Sequence, residues 1–202
     1  MPKLKNDTIS ILSLDLETMG LMSNAAIVSV GIYHVASIKY DNTRIKVAEP
    51  SFYEVCNLKQ QEMRGATIDS STLDWWSKQP DEVREALVAS QIADIDNTAV
   101  VGKFREYVKS LPGSPVWVVQ GSDFDIPIIK NFLGLYAEKL PGFYRHKICL
   151  RTLLMTNPVG NVRNEMMHNA LSDAKAQANR FSLISPQSKE LLVKTLFTSA
   201  GY

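Results

Sequence analysis

The sequence predicts an α/β fold in which a mixed β-sheet, a three-strand meander followed by parallel strands, is flanked by helices. Segments of alternating polarity come first along the chain, and helical periods then alternate with short apolar runs. Strands followed by helices that alternate with strands are typical of a mixed sheet covered by helices. With 202 residues and 45% hydrophobic side chains the chain can bury a core, and we expect one domain over residues 1–202.

The first predicted strand, residues 9–17 (ISILSLDLE), separates two kinds of side chain. Leucines alternate there with Ser13, Asp15 and Glu17, and side chains in a strand switch faces at every residue. The strand therefore has a leucine face and a carboxylate face.

Turn and capping residues mark most of the later elements. Pro80 and two acids begin one helix, Pro112 and Gly113 end the next, and Pro127 suits a first helical turn. The predicted elements after the first strand are a turn around Gly20, strands at 25–36 and 44–55, helices within 70–110, a buried strand at 115–121, a helix from near Asp125, a strand and short helix within 146–154, a helix from Ala170 and a closing helix within 183–202.

Composition excludes several classes of protein. Lys and Arg number 22 against 21 Asp and Glu, so the net charge of +1 provides no overall field for a polyanion. Two cysteines, Cys56 and Cys149, are too few for a disulfide framework. No apolar run reaches the roughly 18 residues of a membrane span. We therefore expect a cytoplasmic protein without a membrane partner.

Asp15 and Glu17 are the first candidates for chemistry because they share one face of a strand. Two anions a few ångströms apart repel each other unless a cation or a proton lies between them. The alternative is a solvent-facing strand that carries acids without a ligand.

A second candidate acid follows the buried strand at 115–121. Asp125 comes at the start of a helix, and open sheets place their ligands where helices begin after strands. The alternative is a helix cap, for which either Asp123 or Asp125 is suitable.

His168 and Asp173 form the third candidate pair. Within one helix, five residues at about 100° each would place them about 140° apart, on different faces. The Asn-rich run before Ala170 instead indicates that His168 lies on a loop and Asp173 in the first helical turn, where both can reach one point. The alternative is that Asp173 only complements the helix dipole and His168 is a surface residue.

The combination of these residues is more informative than each alone. Four acids provide oxygen ligands for two hard divalent cations, and a histidine provides a base that titrates near neutral pH. This set fits two-metal cleavage of a phosphodiester.

These residues match a family pattern. The segments LDLETMG, GSDFDIPII and HNALSDA resemble the three motifs of the DEDD exonucleases, and the His-x4-Asp spacing of the third resembles the DEDDh branch. The segments STLDWWSKQP and CLRTLL resemble the small group of phage exonuclease A and the mycobacterial-type exoribonucleases related to RNase T. The resemblance covers roughly residues 9–182 and implies an RNase H-like fold and a phage or bacterial protein.

The resemblance also implies a role for each matching residue. It implies two divalent cations, Mg²⁺ or Mn²⁺. Asp15 would contact both cations, Glu17 and Asp173 would complete the tighter site, and Asp125 would hold the second cation. His168 would take the proton from the attacking water. The terminal nucleotide would lie against Thr18, Met19 and Gly20, through backbone contacts and an apolar wedge. The second motif departs from many relatives, because Gly121 stands where they have Asn and Asp123 is a rival acid.

Trp75, Trp76 and Arg151 are candidate substrate contacts. Adjacent helical residues are about 100° apart, so the two indole rings cannot pack against the same partner. Either both rings pack in the core on different sides, or one, taken here as Trp76, stacks on a base. Arg151 can reach a phosphate.

The resemblance implies a 3′–5′ exonuclease that acts on single-stranded ends and releases nucleoside 5′-monophosphates. The segments shared with phage exonuclease A favour DNA, with RNA as the alternative substrate. Relatives also pair as homodimers, and a near-neutral chain that must bind a polyanion is compatible with such a dimer. Two other functions are considered: a non-catalytic nucleic-acid-binding module, and a metal phosphoesterase acting on small nucleotides.

Overall fold

A computed structural model describes residues 7–47, 51–92, 94, 96–139, 146–160, 162–164 and 166–199. Its strands are β1 (Thr8–Thr18), β2 (Ile27–Lys39), β3 (Arg44–Ile45), β4 (Ser51–Val55), β5 (Ser114–Val119) and β6 (Lys147–Cys149). Its helices are α1 (Leu58–Glu62), α2 (Ser70–Ser77), α3 (Asp81–Ile92), α4 (Asn97–Ser110), α5 (Asp125–Leu133), α6 (Leu135–Lys139), α7 (Leu150–Thr156), α8 (Ala170–Ser182) and α9 (Pro186–Ser199).

The strands form one mixed sheet of six strands in the order β3-β2-β1-β5-β6, with β4 also paired to β2. β1 runs antiparallel to β2 and parallel to β5, which in turn runs parallel to β6. This arrangement, a meander joined to parallel strands and flanked by helices, confirms the predicted fold class.

The predicted third strand, residues 44–55, is wrong in one respect. It consists of two separate strands, β3 and β4, which pair with different parts of β2. Pro50 lies between them in the sequence, and proline lacks the N–H group that a strand interior donates to its neighbour. Residues 48–50 themselves lie outside the described part of the chain. The short helix α1 was not predicted, and the single helix predicted from near Asp125 divides into α5 and α6 at Gly134, where φ is 56°.

Both faces of β1 are covered, but by different helices. Its leucine face packs against side chains of α4 and α5, among them Phe104 and Ile128. On the opposite face, Ile9 and Ile11 pack against Phe181 of α8 and residues of α9. The carboxylate face of β1 is therefore largely covered by α8, with Glu17 buried and Asp15 half-buried.

A glycine allows α8 to approach the sheet closely. Gly31 of β2 is paired with Asp15 of β1, and a Cβ atom at position 31 would lie 2.2 Å from the backbone carbon of Ala170. Ala174 and Ala178 continue the same contact along α8, and both are buried. Small side chains at this contact hold the first turn of α8 over Asp15.

The structure bears on two expectations from composition, namely those about disulfide bonds and membrane-spanning helices. Cys56 and Cys149 are both free, as expected. Among the residues that the structure describes, no helix is long and apolar enough to cross a membrane.

Candidate active site

Three carboxylates meet where α8 crosses β1. Asp15 and Glu17 come from the same face of β1, and Asp173 comes from the first turn of α8. One oxygen of each lies within 4.8 Å of the corresponding oxygens of the other two. Carboxylate oxygens at this spacing are suitable ligands for a hard divalent cation.

The electrostatics of this cluster also fit a cation. Burial, the charge of Asp173, a hydrogen bond that the protonated Glu17 donates to Asp173 and the charge of Asp125 together raise the pKa of Glu17 to about 8. Burial and the neighbouring carboxylates hold the pKa of Asp15 well above its usual range. Burial also raises the pKa of Asp173. Each acid therefore resists ionisation without a counter-charge, and a divalent cation supplies that counter-charge.

Asp125 lies next to the cluster, whereas Asp123 does not. The Asp125 side chain is 4% exposed, and its charge raises the pKa of both Asp15 and Glu17. Burial raises the pKa of Asp125 itself to about 7, against hydrogen bonds from backbone N–H groups that include that of Leu16. Asp123 is exposed and accepts a hydrogen bond from Ser122. Geometry thus favours Asp125 as the acid of the second motif, and α5 has no side-chain cap.

The structure places His168 on a loop and Asp173 in the first turn of α8, as the spacing predicts. Asn169 caps this helix, because its side chain accepts a hydrogen bond from the backbone N–H of Ser172 at 3.1 Å. His168 has a left-handed backbone with φ of 61°. Its backbone N–H donates to the Asp173 carboxylate and lowers the pKa of that acid. The half-buried imidazole therefore lies beside the acid cluster.

The expectation that Trp76 stacks on a base is corrected by burial. The Trp76 side chain is 1% exposed, and its indole N–H donates to the carbonyl of Thr18 at 3.1 Å. Trp75 is the exposed ring, at 38%, and meets the His168 imidazole edge to face with centroids 4.8 Å apart. The ring available to a substrate is that of Trp75.

The turn after β1 also differs from expectation, because Met19 cannot act as an apolar wedge. Its side chain is 1% exposed, its N–H donates to Ala26 and its carbonyl accepts from Asp69. Thr18 is also engaged, since its hydroxyl donates to the carbonyl of Gly20. The exposed apolar side chain of this turn is Leu21, at 77%.

A pocket of about 300 Å³ opens beside Glu17. Its walls come from the end of β1, the following turn, α2 and the residue before α5, namely Leu16, Glu17, Thr18, Leu21, Ser71, Thr72, Trp75, Trp76 and Phe124. An apolar pocket bounded on one side by an acid cluster can hold a ring while a charged group reaches the acids.

Arg151 lies near Asp125. Its side chain is exposed, and its charge lowers the pKa of Asp125. The guanidinium passes over Gly121, where a Cβ atom would lie 3.8 Å from it. Gly121, the residue that departs from the relatives, therefore faces Arg151.

Two residues that contact the acids were not predicted. Gln177 donates from its side-chain amide to Oδ1 of Asp15 at 2.6 Å, and the side-chain amide of Asn164 donates to Oδ1 of Asp173. Gln177 comes four residues after Asp173, so helical spacing indicates that both share one face. No signal in the sequence identifies Asn164, which lies on the irregular loop before α8.

Comparisons with solved structures agree with this fold. A crystal structure of cell-death related nuclease 4 (CRN-4) matches with a TM-score of 0.55 and 15% identity, over 88% of this chain and 63% of that one. A zinc-bound E. coli ExoI–ssDNA complex matches with a TM-score of 0.56 and 11% identity, over 94% of this chain and 43% of that one. At these identities the likeness shows the fold, and the chain spans less than two thirds of either structure.

Sequence comparison is more specific. No curated protein sequence matches the chain. The family described as the 3′-5′ exoribonuclease Rv2179c-like domain matches residues 10–185, which include all three acidic motifs and His168. The chain belongs to this family of Rv2179c-like 3′–5′ exoribonuclease domains.

Proposed function

We propose that the chain is a metal-dependent 3′–5′ exonuclease that acts on single-stranded ends and releases nucleoside 5′-monophosphates. The observation that carries this proposal is the convergence of Asp15, Glu17 and Asp173, with ligand oxygens within 4.8 Å of one another, beside buried Asp125. Family membership over residues 10–185 supports the same activity.

Asp15, Glu17 and Asp173 would hold one divalent cation, and Asp125 with Asp15 would hold a second. Such cations, Mg²⁺ or Mn²⁺, polarise the scissile phosphate and lower the pKa of the attacking water. The four carboxylates would hold the cations in place, and Asp15 and Asp173 are half-buried, so the site is open to a phosphate.

His168 is the general base in this proposal. It lies beside Asp173 and is half-buried, so its imidazole borders both the acid cluster and solvent. Histidine titrates near neutral pH and can take a proton from water there. Trp75 contacts this imidazole edge to face, with the ring centroids 4.8 Å apart.

The pocket beside Glu17 is the site for the terminal nucleotide. Trp75 replaces Trp76 as the base-stacking ring, and Leu21 replaces Met19 as the apolar side chain against the nucleotide. Stacking of a base on an aromatic ring contributes about 1–3 kcal/mol and does not depend on base identity. Arg151 would contact a phosphate of the same strand, which its exposed side chain and its interaction with Asp125 support.

Two substrate classes are supported by different observations. The description of the matching family names exoribonucleases, which supports RNA. The resemblance of STLDWWSKQP and CLRTLL to phage exonuclease A supports DNA, and the E. coli ExoI complex of the same fold contains single-stranded DNA. Contacts to the ribose 2′-OH distinguish the two classes.

The test uses 5′-labelled single-stranded DNA and RNA of one sequence, incubated with Mg²⁺, with Mn²⁺ and with chelator. We expect a metal-dependent ladder that shortens from the 3′ end, and the faster strand identifies the substrate class. Asp15→Ala and Asp125→Asn should each abolish the ladder, whereas the exposed Asp123→Asn should retain it.

Three other results would contradict the proposal. Retention of full activity in Asp15→Ala would refute the metal assignment. Binding of both strands without cleavage under any metal would support a non-catalytic binding module. Cleavage of a mononucleotide ester without cleavage of oligomers would support a small-nucleotide phosphoesterase.

A further inference from the structure

Gln177 is a buried amide whose two ends are both engaged. Its side chain is 6% exposed, its Nε2 donates to Oδ1 of Asp15 at 2.6 Å, and its Oε1 accepts from the hydroxyl of Ser13 at 3.5 Å. The ionised Asp15 carboxylate only accepts, so the amide nitrogen of Gln177 faces the acid and its oxygen faces the Ser13 hydroxyl, which can donate. The orientation of Gln177 is therefore set by β1 itself, because Ser13 and Asp15 belong to the same strand face.

A neutral donor at this position has a specific electrostatic property. It satisfies a buried acceptor of Asp15 without supplying the positive charge that the acids need. A lysine in the same place would neutralise Asp15 and would compete with a divalent cation. The amide leaves the negative charge of the cluster available while it restricts the side-chain torsions of Asp15.

Gln177 also connects the two elements that supply the acids. It lies on α8 one turn after Asp173, and its hydrogen bond crosses to β1. The contact therefore links the position of Asp15 to the position of Asp173. A cation bound by both acids would require a constant distance between them.

We propose that Gln177 is a positioning residue for the metal site: by holding one oxygen of Asp15 it sets the carboxylate in the orientation that binds a divalent cation jointly with Glu17 and Asp173. The inference rests on the proposed metal-dependent function and deepens it. Residues that hydrogen-bond to metal ligands in this way typically affect metal affinity about 10–100-fold.

The experiment measures Mn²⁺ binding by calorimetry in the whole chain without nucleic acid. Gln177→Met keeps the length and helical preference of the side chain but removes both hydrogen bonds, and should weaken Mn²⁺ binding about 10–100-fold. Asn179→Met is the matched control, since it removes an exposed amide from the same helix, and should leave Mn²⁺ affinity unchanged. Activity of Gln177→Met should recover toward the wild-type rate at saturating Mn²⁺, because every metal ligand is still present.

Thermal melting in chelator shows whether each variant is folded. A folded Gln177→Met protein with wild-type Mn²⁺ affinity would overturn the inference. If Gln177→Met does not fold, Ser13→Ala replaces it, with an expected several-fold loss of affinity, and unchanged affinity in that variant overturns the inference instead. A wild-type chain that binds no Mn²⁺ would refute the proposed function itself, which separates the two failures.

Discussion

At the scale of single residues, the loop before α8 places His168 next to Asp173 by an uncommon backbone conformation. His168 has φ of 61°, a left-handed conformation that costs energy for most residues and that asparagine adopts more readily than others. The backbone N–H of His168 is thereby used for Asp173, while the ring remains at the edge of the site against Trp75. One residue thus contributes to the geometry of the acids and, in the proposed function, to proton transfer.

His168→Asn separates these two contributions. Asparagine retains the backbone conformation and its N–H group but lacks the imidazole, so we expect kcat to fall by about 10²–10⁴-fold. Mn²⁺ affinity should not change, since the four acids remain. Single-turnover cleavage and calorimetry measure the two quantities, and a variant with normal turnover would remove His168 from the role of base.

At the scale of elements, the close packing of α8 on β2 decides whether the acids meet. The backbone of Ala170 lies directly over Gly31, which has no Cβ atom to keep the helix away. Asp15 is the partner of Gly31 across the strand pair, and Asp173 is one turn into α8. A displacement of the helix would therefore separate Asp173 from the two acids of β1.

Gly31→Ala should produce that displacement. Its new Cβ would clash with the backbone of α8, and we expect a loss of about 1–3 kcal/mol in the free energy of unfolding, with weaker Mn²⁺ binding and slower cleavage. Gly102→Ala is the control, because a Cβ there has no atom within 4 Å and lies in the interior of α4. That control should be neutral or more stable by about 0.5–1 kcal/mol. Denaturant unfolding measures both, and wild-type stability and Mn²⁺ affinity in Gly31→Ala would contradict this account of the helix contact.

At the scale of the whole molecule, the chain concentrates negative charge at one place although its net charge is only +1. Four carboxylates lie together at or near the junction of β1, α5 and α8, and burial raises the pKa of each. In the proposed function, a polyanionic substrate would then be bound by local groups such as Arg151 or by a second copy of the chain. The homodimer expected from the resemblance is a proposal that light scattering can test.

This concentration of buried acids makes the stability of the metal-free protein depend on pH. The pKa of Glu17 is about 8 in the folded chain against an ordinary value of 4.5, so the folded state binds its proton more tightly. The contribution of Glu17 to the free energy of unfolding is therefore fully present below about pH 4.5. This contribution is lost as the pH rises toward 8. Asp125, with a pKa of about 7, contributes in the same direction.

In chelator, we expect the melting temperature of the wild type to fall between pH 5 and pH 8, and Mn²⁺ to restore it at pH 8. Glu17→Gln should have a smaller fall over the same range and a higher melting temperature at pH 8. Each kcal/mol corresponds to roughly 2–4 °C for a chain of this size. Melting curves across this pH range test the prediction, and a wild-type melting temperature that rises with pH in chelator would contradict it.

Much of this protein could be predicted from local sequence. Alternation along residues 9–17 predicts the two faces of β1, and capping and spacing predict His168 on a loop with Asp173 in the first turn of α8. These features depend on residues close together in the chain, and the structure agrees with them. The split of residues 44–55 into two strands was missed, because pairing with different parts of β2 is a non-local property.

The sequence by itself determined the fold class and the family, and it indicated Asp15, Glu17 and Asp173 as candidate metal ligands, because strand alternation, helix capping and motif spacing are all local. Only the tertiary structure decided which of Trp75 and Trp76 is exposed, that Met19 is buried, and that Gln177 contacts Asp15. Burial depends on which elements pack over a residue. Adjacent residues on a helix differ in burial because their side chains point in different directions. The close contact of Gly31 with Ala170 is of the same kind, since only the folded chain brings a strand glycine under the start of a distant helix.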